Sequence, residues 1–399
     1  MRVIPLTGMT RRIATGIDIG TRLVKVVVVE EIAQKNGRAL RVIGTGSAPM
    51  RGMHQGYATN REEALASVRA AKKIAEAAAQ VPIRSCFLAM GSVSLDETRA
   101  SGETIISRAD QEITELDLDT TLKKAHEVAR GAFLNRIVLH KIPLEYRIDG
   151  TRYSYPIGMK GTRLEVEYLF ITCLSQHSEG LVALVEDADI EVVDQMASPL
   201  AESSVILTND QKMRGCVLAD IGAETVSIVV YDEGVPLSVK MFPVGSEQVT
   251  DDLAIAFKIS LEDAERVKIG RLGGVMYPRK KIDEVISSRL TRILQLIEKH
   301  LKTIGRRGLL PAGIIFSGGG GSAGIVSDIA RRTLSLPARS GEISIIGDST
   351  SNTRFRENAW AVAYGIALWG LTGETETHGR TGLAKLSGSV RKFFHQFLP

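Results

Sequence analysis

The chain has 399 residues, 44% hydrophobic and 24% charged, with a formal net charge of +4. That length exceeds what one hydrophobic core usually serves, so two or more domains are expected. No apolar run reaches the roughly 18 residues of a membrane-spanning helix, and Met1–Arg12 lacks the apolar segment of a secretory signal. Cys86, Cys173 and Cys216 are far apart and form no metal-ligand spacing, so packed, reduced thiols of a cytoplasmic protein are expected. The basic excess is local. Residues 380–399 hold Arg380, Lys385, Arg391 and Lys392 and no acid, which leaves the preceding residues formally neutral. A surplus placed beside phenylalanines at one end argues against a nucleic-acid groove.

In chain order, residues 12–30 read as a strand, a turn at Gly20-Thr21 and a β-branched strand, VKVVVVE, with a third strand at 40–49 and a helix at 62–80. RSCFLAMGSVS is strand-like. A helix is expected to start near Ser107, with Asp110 and Glu112 in its first turn. RIVLHKIPLEYRIDG reads as a strand and TRYSYPIGMKGTR as a loop, so residues 84–163 form a small α+β module inserted in a first domain. LEVEYLFITC, a helix over 178–190 and a strand leading into the helix of SPLAESSVIL close that half.

The second half repeats the opening. GIDIGTRLVKVVVV and VLADIGAETVSIVVY are both strand, Asp-Ile-Gly, polar turn, strand. Glycine lets turn amides approach phosphate oxygens: Gly20 with Thr21, and Gly222 with Thr225. Asp18 and Asp220 suit a hydrated Mg²⁺, and Lys25 can meet a phosphate as a point charge. Either hairpin alone also fits an ordinary turn with a capping aspartate. Helices are expected across 246–274 and 283–307, with Glu265 and Lys268 one turn apart on one face, a spacing also common in surface ion pairs. The strand of IIFSGGGGSAG runs into Gly318, Gly319 and Gly320, where backbone can pack on a flat ring or a phosphate, or form a flexible loop. An apolar helix over 356–372 and a polar linker over 372–382 precede the end. On a helical wheel Leu383, Leu386, Val390, Phe393, Phe394, Phe397 and Leu398 fall within about 140°. Lys385, Arg391 and Lys392 lie outside that arc. Such a helix can lie in an anionic membrane interface, dock on its own core or meet a partner helix.

Taken in order, these elements resemble the actin/Hsp70/sugar-kinase ATPase superfamily. Within it the chain closely resembles FtsA, the actin-like bacterial division family, through LHKIPLEYRIDG, PIGMKGTRLEVE, SPLAESSVIL, PVGSEQVTDDLA, AERVKI and the tail. The resemblance implies an α/β actin-like ATPase fold with two large domains flanking a nucleotide cleft. Subdomain 1A would span 12–83 and 164–198, inserted subdomain 1C 84–163, 2A 199–246 and 313–371, and 2B 247–312. The tail, 383–399, would be a membrane-targeting helix. ATP and Mg²⁺ would bind with Asp18, Gly20, Thr21 and Lys25 on one side and Asp220, Gly222 and Thr225 on the other. Glu265 and Lys268 would meet ribose and adenine, and Gly318, Gly319 and Gly320 would pack on the adenosine. The implied partners are the C-terminal peptide of the tubulin-like FtsZ on 2B, further copies of the chain in a filament, an anionic membrane surface at the division site, and later division proteins through 1C. Arg279, Lys280 and Lys281 are basic positions that fit an acidic peptide or, as charge runs more often do, a solvated face. A related pilus-assembly adaptor of the PilM type and a small-molecule kinase of the same superfamily are the alternatives. Two departures bear on hydrolysis. Ala223 and Glu224 replace the more glycine-rich turn of relatives and add a negative charge near the phosphates. Ser204 stands where a glutamate is usual, and the nearest acid is Glu202.

Overall fold

A computed structural model describes residues 11–34, 37–271, 277–320, 324–343 and 358–372. The chain opens with β1 (Arg12–Ile19), β2 (Leu23–Gln34) and β3 (Gly37–Pro49), an antiparallel meander. Val24 and Val26–Val29 are wholly buried, as β-branched residues are when both faces of a strand are covered. A tiny hairpin, β4 (Met53–His54) and β5 (Tyr57–Ala58), leads to α1 (Arg61–Ala79), capped by the Asn60 side chain, which accepts from Glu63 N. The next strand, β6 (Ser85–Met90), runs parallel to β1.

A second sheet is then inserted from β7 (Asp96–Ile105), α2 (Glu115–Val128), β8 (Arg136–Ile148), β9 (Thr151–Tyr153) and β10 (Arg163–Leu174), in the order β7-β10-β8-β9. Ile113, Leu118, Leu164, Val166 and Phe170 form its own core. Its bounds differ from the expected 84–163, because β6 hydrogen-bonds into the first sheet while β10 is central to the second. The helix start also differs. Gln111 takes φ 54°, which breaks any helix begun at Ser107. Thr114 caps α2 instead, and Asp117 accepts from both its backbone N and its hydroxyl at 2.8 Å.

After α3 (Ser175–Glu186), β11 (Glu191–Ala197) completes a first sheet ordered β11-β6-β1-β2-β3. The chain crosses through α4 (Ser198–Ile206) and α5 (Asn209–Arg214) into β12 (Cys216–Ile221), β13 (Val226–Asp232) and β14 (Val235–Phe242). Three helices follow, α6 (Glu247–Phe257), α7 (Leu261–Lys268) and α8 (Arg279–Thr303), then β15 (Gly313–Ser317), α9 (Gly324–Leu334) and β16 (Ala338–Ser340). This third sheet is ordered β14-β13-β12-β15-β16. Each large sheet is therefore an antiparallel meander extended, on the far side of its first strand, by two further strands parallel to that strand, and the sequence repeat is a repeat of topology.

The last described helix, α10 (Ala361–Thr372), is buried almost all round and returns to the first sheet, although chain order groups it with the second half. Gly16 on β1 admits it: a Cβ there would sit 2.1 Å from the Ala363 carbonyl oxygen. One core joins the first sheet, α4 and α10 to Cys216, Leu218, Val229 and Tyr231 of the third sheet, so the two lobes share packing at their base.

Candidate nucleotide site

The two Asp-Ile-Gly turns close in the same way. Gly20 N donates to Leu23 O at 3.1 Å, and Gly222 N donates to Thr225 O at 2.9 Å. Each aspartate ends the first strand of its sheet, where Asp18 pairs with Lys25 and Asp220 with Ser227. Thr21 and Thr225 lie in the half-exposed turns themselves, beyond or at the end of the ladders.

Lys25 Nζ lies 2.8 Å from Asp18 Oδ2, with both side chains largely buried. Burial opposes the lysine charge, but Asp18, Asp220 and Glu202 outweigh it and hold the pKa above the ordinary value. Burial, with Asp18, pushes the Asp220 carboxyl up to about 6 against the pull of Lys25. Glu202 is 2% exposed, and burial together with the Asp220 charge raises its pKa well above the usual range. Glu202, the acid nearest to Ser204, thus belongs to the cluster. Ser204 turns its hydroxyl back to Ala201 O at 2.6 Å within α4.

Beside this cluster, Ser317 pairs with Asp220, and Gly318 follows with φ 77°. A Cβ at Gly318 would meet Asp220 Oδ1 at 2.0 Å, so glycine is required there. Gly320 N donates to Ile221 O at 3.0 Å, which folds the glycine turn against β12, and Gly319 is exposed between them. Among the described residues the neighbouring Ser317 hydroxyl, which is buried, has no partner in hydrogen-bond geometry, although it lies close enough to Glu202 to oppose the rise of its pKa.

Glu265 and Lys268 form the opposite wall. Glu265 Oε2 takes Lys268 Nζ at 2.6 Å and the Thr250 hydroxyl at 2.7 Å. Lys268 also reaches Thr250 Oγ1 at 2.8 Å and Ser246 O at 3.2 Å, fastening α7 to α6. Burial would raise the Glu265 pKa, but bonds from Lys268, Arg22 and Thr250 bring it down to about 2. Sequence reasoning missed Arg22, whose guanidinium donates to Glu265 Oε1 at 2.7 Å from the first hairpin. Glu224, expected to crowd the phosphates, instead accepts from Gln55 N in the first lobe. Arg279, Lys280 and Lys281 are exposed at the start of α8. The tail residues 383–399 lie outside the described residues.

Asp18, Asp220 and Glu202 set three carboxylates around one lysine, and a divalent cation would relieve that imbalance. Among the described residues no group of three or more His, Cys, Asp or Glu side chains could hold a metal. Mg²⁺ keeps most of its waters and needs few direct carboxylates, so the Asp18 and Asp220 pair does not conflict with an ion held through water.

Comparison with known proteins agrees with this architecture. Residues 217–365 match the family described as "Cell division protein FtsA", and residues 97–172 match the "SHS2 domain inserted in FTSA". The two matches together take in more than half of the chain. The chain belongs to the FtsA family of cell division proteins. It is 28% identical to the FtsA of Borreliella burgdorferi over 96% of each chain. Against the FtsA of Escherichia coli strain K12 it is 29% identical, over 96% of this chain and 99% of the other. The SHS2 match lies within the inserted sheet, and the FtsA match runs from β12 into α10. Among solved structures, the PilM–PilN type IV pilus biogenesis complex superposes with a TM-score of 0.65 at 18% identity, covering 90% of this chain and 98% of the other. MreB5 of Spiroplasma citri bound to ADP gives 0.50 at 13% identity, covering 90% and 96%. These likenesses show the fold, which is the actin-like one.

Proposed function

We propose that this FtsA-family chain binds ATP with Mg²⁺ between its two repeated hairpins and acts as a polymerising adaptor in bacterial cell division. The observation that carries the nucleotide reading is the Asp18, Lys25, Glu202 and Asp220 cluster, set between turns closed by the same backbone hydrogen bond and beside a glycine turn. Mg²⁺ would supply charge neutralisation to the phosphates. The chain's own part is to offer the turn amides that follow Gly20 and Gly222, whose own N–H groups close the turns, with the Lys25 ammonium and carboxylates that hold the ion's waters. Glu265 and Lys268 would face the ribose and adenine, and Gly318–Gly320 the adenosine.

In this reading residues 383–399 bind the cytoplasmic face of the membrane and residues 247–312 receive the FtsZ C-terminal peptide. The inserted module meets later division proteins. Polymerisation gathers many weak membrane feet into firm attachment. Titration calorimetry of Mg·ATP against the wild type and Asp220→Ala tests the cleft. Asp220→Ala is expected to weaken binding about tenfold or more, as loss of a charge-directed contact does, and unchanged affinity would remove Asp220 from the site.

A further inference from the structure

The two hairpin turns correspond position for position from their Asp-Ile-Gly. In each, the position two beyond the glycine carries a charge: Arg22 after Gly20, and Glu224 after Gly222. Both side chains leave their own lobe. Arg22 reaches Glu265 Oε1 at 2.7 Å and lies 3.9 Å from Glu247 Oε1, both in the second lobe. Glu224 accepts from the Gln55 amide in the β4–β5 turn of the first lobe and has His54 Nδ1 at 3.3 Å. Each contact is built on a prepared anchor. Lys268 and Thr250 hold Glu265 by its other oxygen. The turn carrying Glu224 is pinned by Ser246 N to Gly222 O at 2.9 Å and Glu247 N to Ala223 O at 2.8 Å. Gln55 takes φ 49°, a conformation costly for a residue with a side chain, in the turn whose amide Glu224 captures. His54 and Arg22 are 64% and 49% exposed, so the contacts lie at the rim of the cleft rather than in its floor.

We propose that Arg22 and Glu224 form a reciprocal clasp across the cleft, which opens for nucleotide to enter or leave and so sets the rate of nucleotide exchange. The proposal rests on the nucleotide reading of the cleft. The two arms contribute unequally. Arg22 and Glu265 form a partly exposed ion pair, which salt screens. Glu224 makes a charged hydrogen bond to a backbone amide, which is stronger. Because both arms hold one closure, losing either one exposes the partner of the other.

Two measurements on the full chain test this. The first is hydrogen exchange of the Gln55 amide without nucleotide. Arg22→Ala is expected to speed it about threefold although Arg22 does not touch Gln55, and Arg22→Lys less. An unchanged Gln55 rate in Arg22→Ala overturns the clasp whatever nucleotide does, since a purely local ion pair would leave that amide alone. The second is stopped-flow release of a fluorescent ATP analogue with Mg²⁺. Release should speed about threefold in Arg22→Ala and about tenfold in Glu224→Ala, with the factors multiplying in the double variant. Unchanged release beside a faster Gln55 amide overturns the gating role. A wild type that binds no analogue overturns the nucleotide reading and the gating with it, while the Gln55 result still decides the clasp.

Discussion

Glu202 on α4 faces Asp220 at the end of β12, and the Asp220 charge adds to burial in raising the Glu202 pKa well above the usual carboxylate range. Asp220 itself lies at about 6. A carboxyl raised in the folded state contributes stability that is complete below its unfolded value, about 4, and lost as pH rises through about 6. Asp220→Asn, which has the same shape and no charge to bury, is therefore expected to unfold at a higher temperature than the wild type at pH 7.5. The gap should close toward pH 4. Thermal unfolding followed across pH checks this, and a lower midpoint for Asp220→Asn at pH 7.5 would contradict it.

The same pair links nucleotide binding to protons. A cation beside the cluster favours the ionised carboxyls, so Mg·ATP should expel the protons that Glu202 and Asp220 retain. Calorimetry at pH 6.5 in buffers of different ionisation enthalpy should show net proton release, smaller at pH 8 as Asp220 is by then ionised beforehand. Binding heats independent of buffer at pH 6.5 would show that these carboxyls do not change state.

The hairpins and the glycine turn were legible because each depends on local chemistry: glycine at a turn, aspartate at a strand end, valine where both faces are covered. Glu202 was not legible, because its place depends on how α4 crosses between the lobes. Arg22, and the place where Glu224 points, were not legible for a related reason. Their partners are more than a hundred residues away, and nothing in DIGTR or DIGAE reports what stands across the cleft. Strand β7, DETRASGETI, lacks the β-branched runs that mark a strand, and is set by ten paired positions along β10. Ser107 and Thr114 each have an acid three residues on, Asp110 and Asp117, so the capping pattern alone did not choose between them; the left-handed Gln111 ends the first and leaves the cap to the second.

Packing at the base of the cleft gives a third expectation. Gly16 leaves room for α10, and any side chain would collide with the Ala363 carbonyl and the Ile366 methyl at 2.1 and 2.7 Å. Gly16→Ala should cost about 1–3 kcal/mol, the usual range for overpacking a close contact. Urea unfolding would register it as a lower midpoint with little change in slope. A midpoint equal to that of the wild type would mean that α10 does not seat on β1 as described.

The inserted module also braces the second lobe. Glu97 at the head of β7 accepts from Val239 N at 2.6 Å and from Ser238 Oγ at 2.8 Å, and Arg99 donates to Leu237 O at 2.8 Å. These bonds cover the edge strand β14, whose backbone would otherwise stand open. Glu97→Ala is expected to raise hydrogen exchange at residues 235–242 about tenfold, the loss of a charged hydrogen bond, without altering the core of the insert. Protection there equal to that of the wild type would show that the edge is held by other contacts.

The last prediction concerns the end of the chain. Residues 383–399 carry an apolar arc with Phe393, Phe394 and Phe397 and a basic flank with Lys385, Arg391 and Lys392. Apolar area and anionic attraction add in an interfacial helix, and a single short helix anchors weakly. Removing 383–399 should therefore abolish co-sedimentation with vesicles containing anionic lipid while leaving the thermal midpoint unchanged. Phe394→Asp alone should reduce binding strongly, since it places a charge on the apolar arc. Raising salt should weaken wild-type binding, as screening of the basic flank requires. If Mg·ATP drives polymerisation, vesicle binding should rise with protein concentration more steeply than a single-site curve. Undiminished sedimentation of the truncated chain would place the membrane contact elsewhere on the molecule.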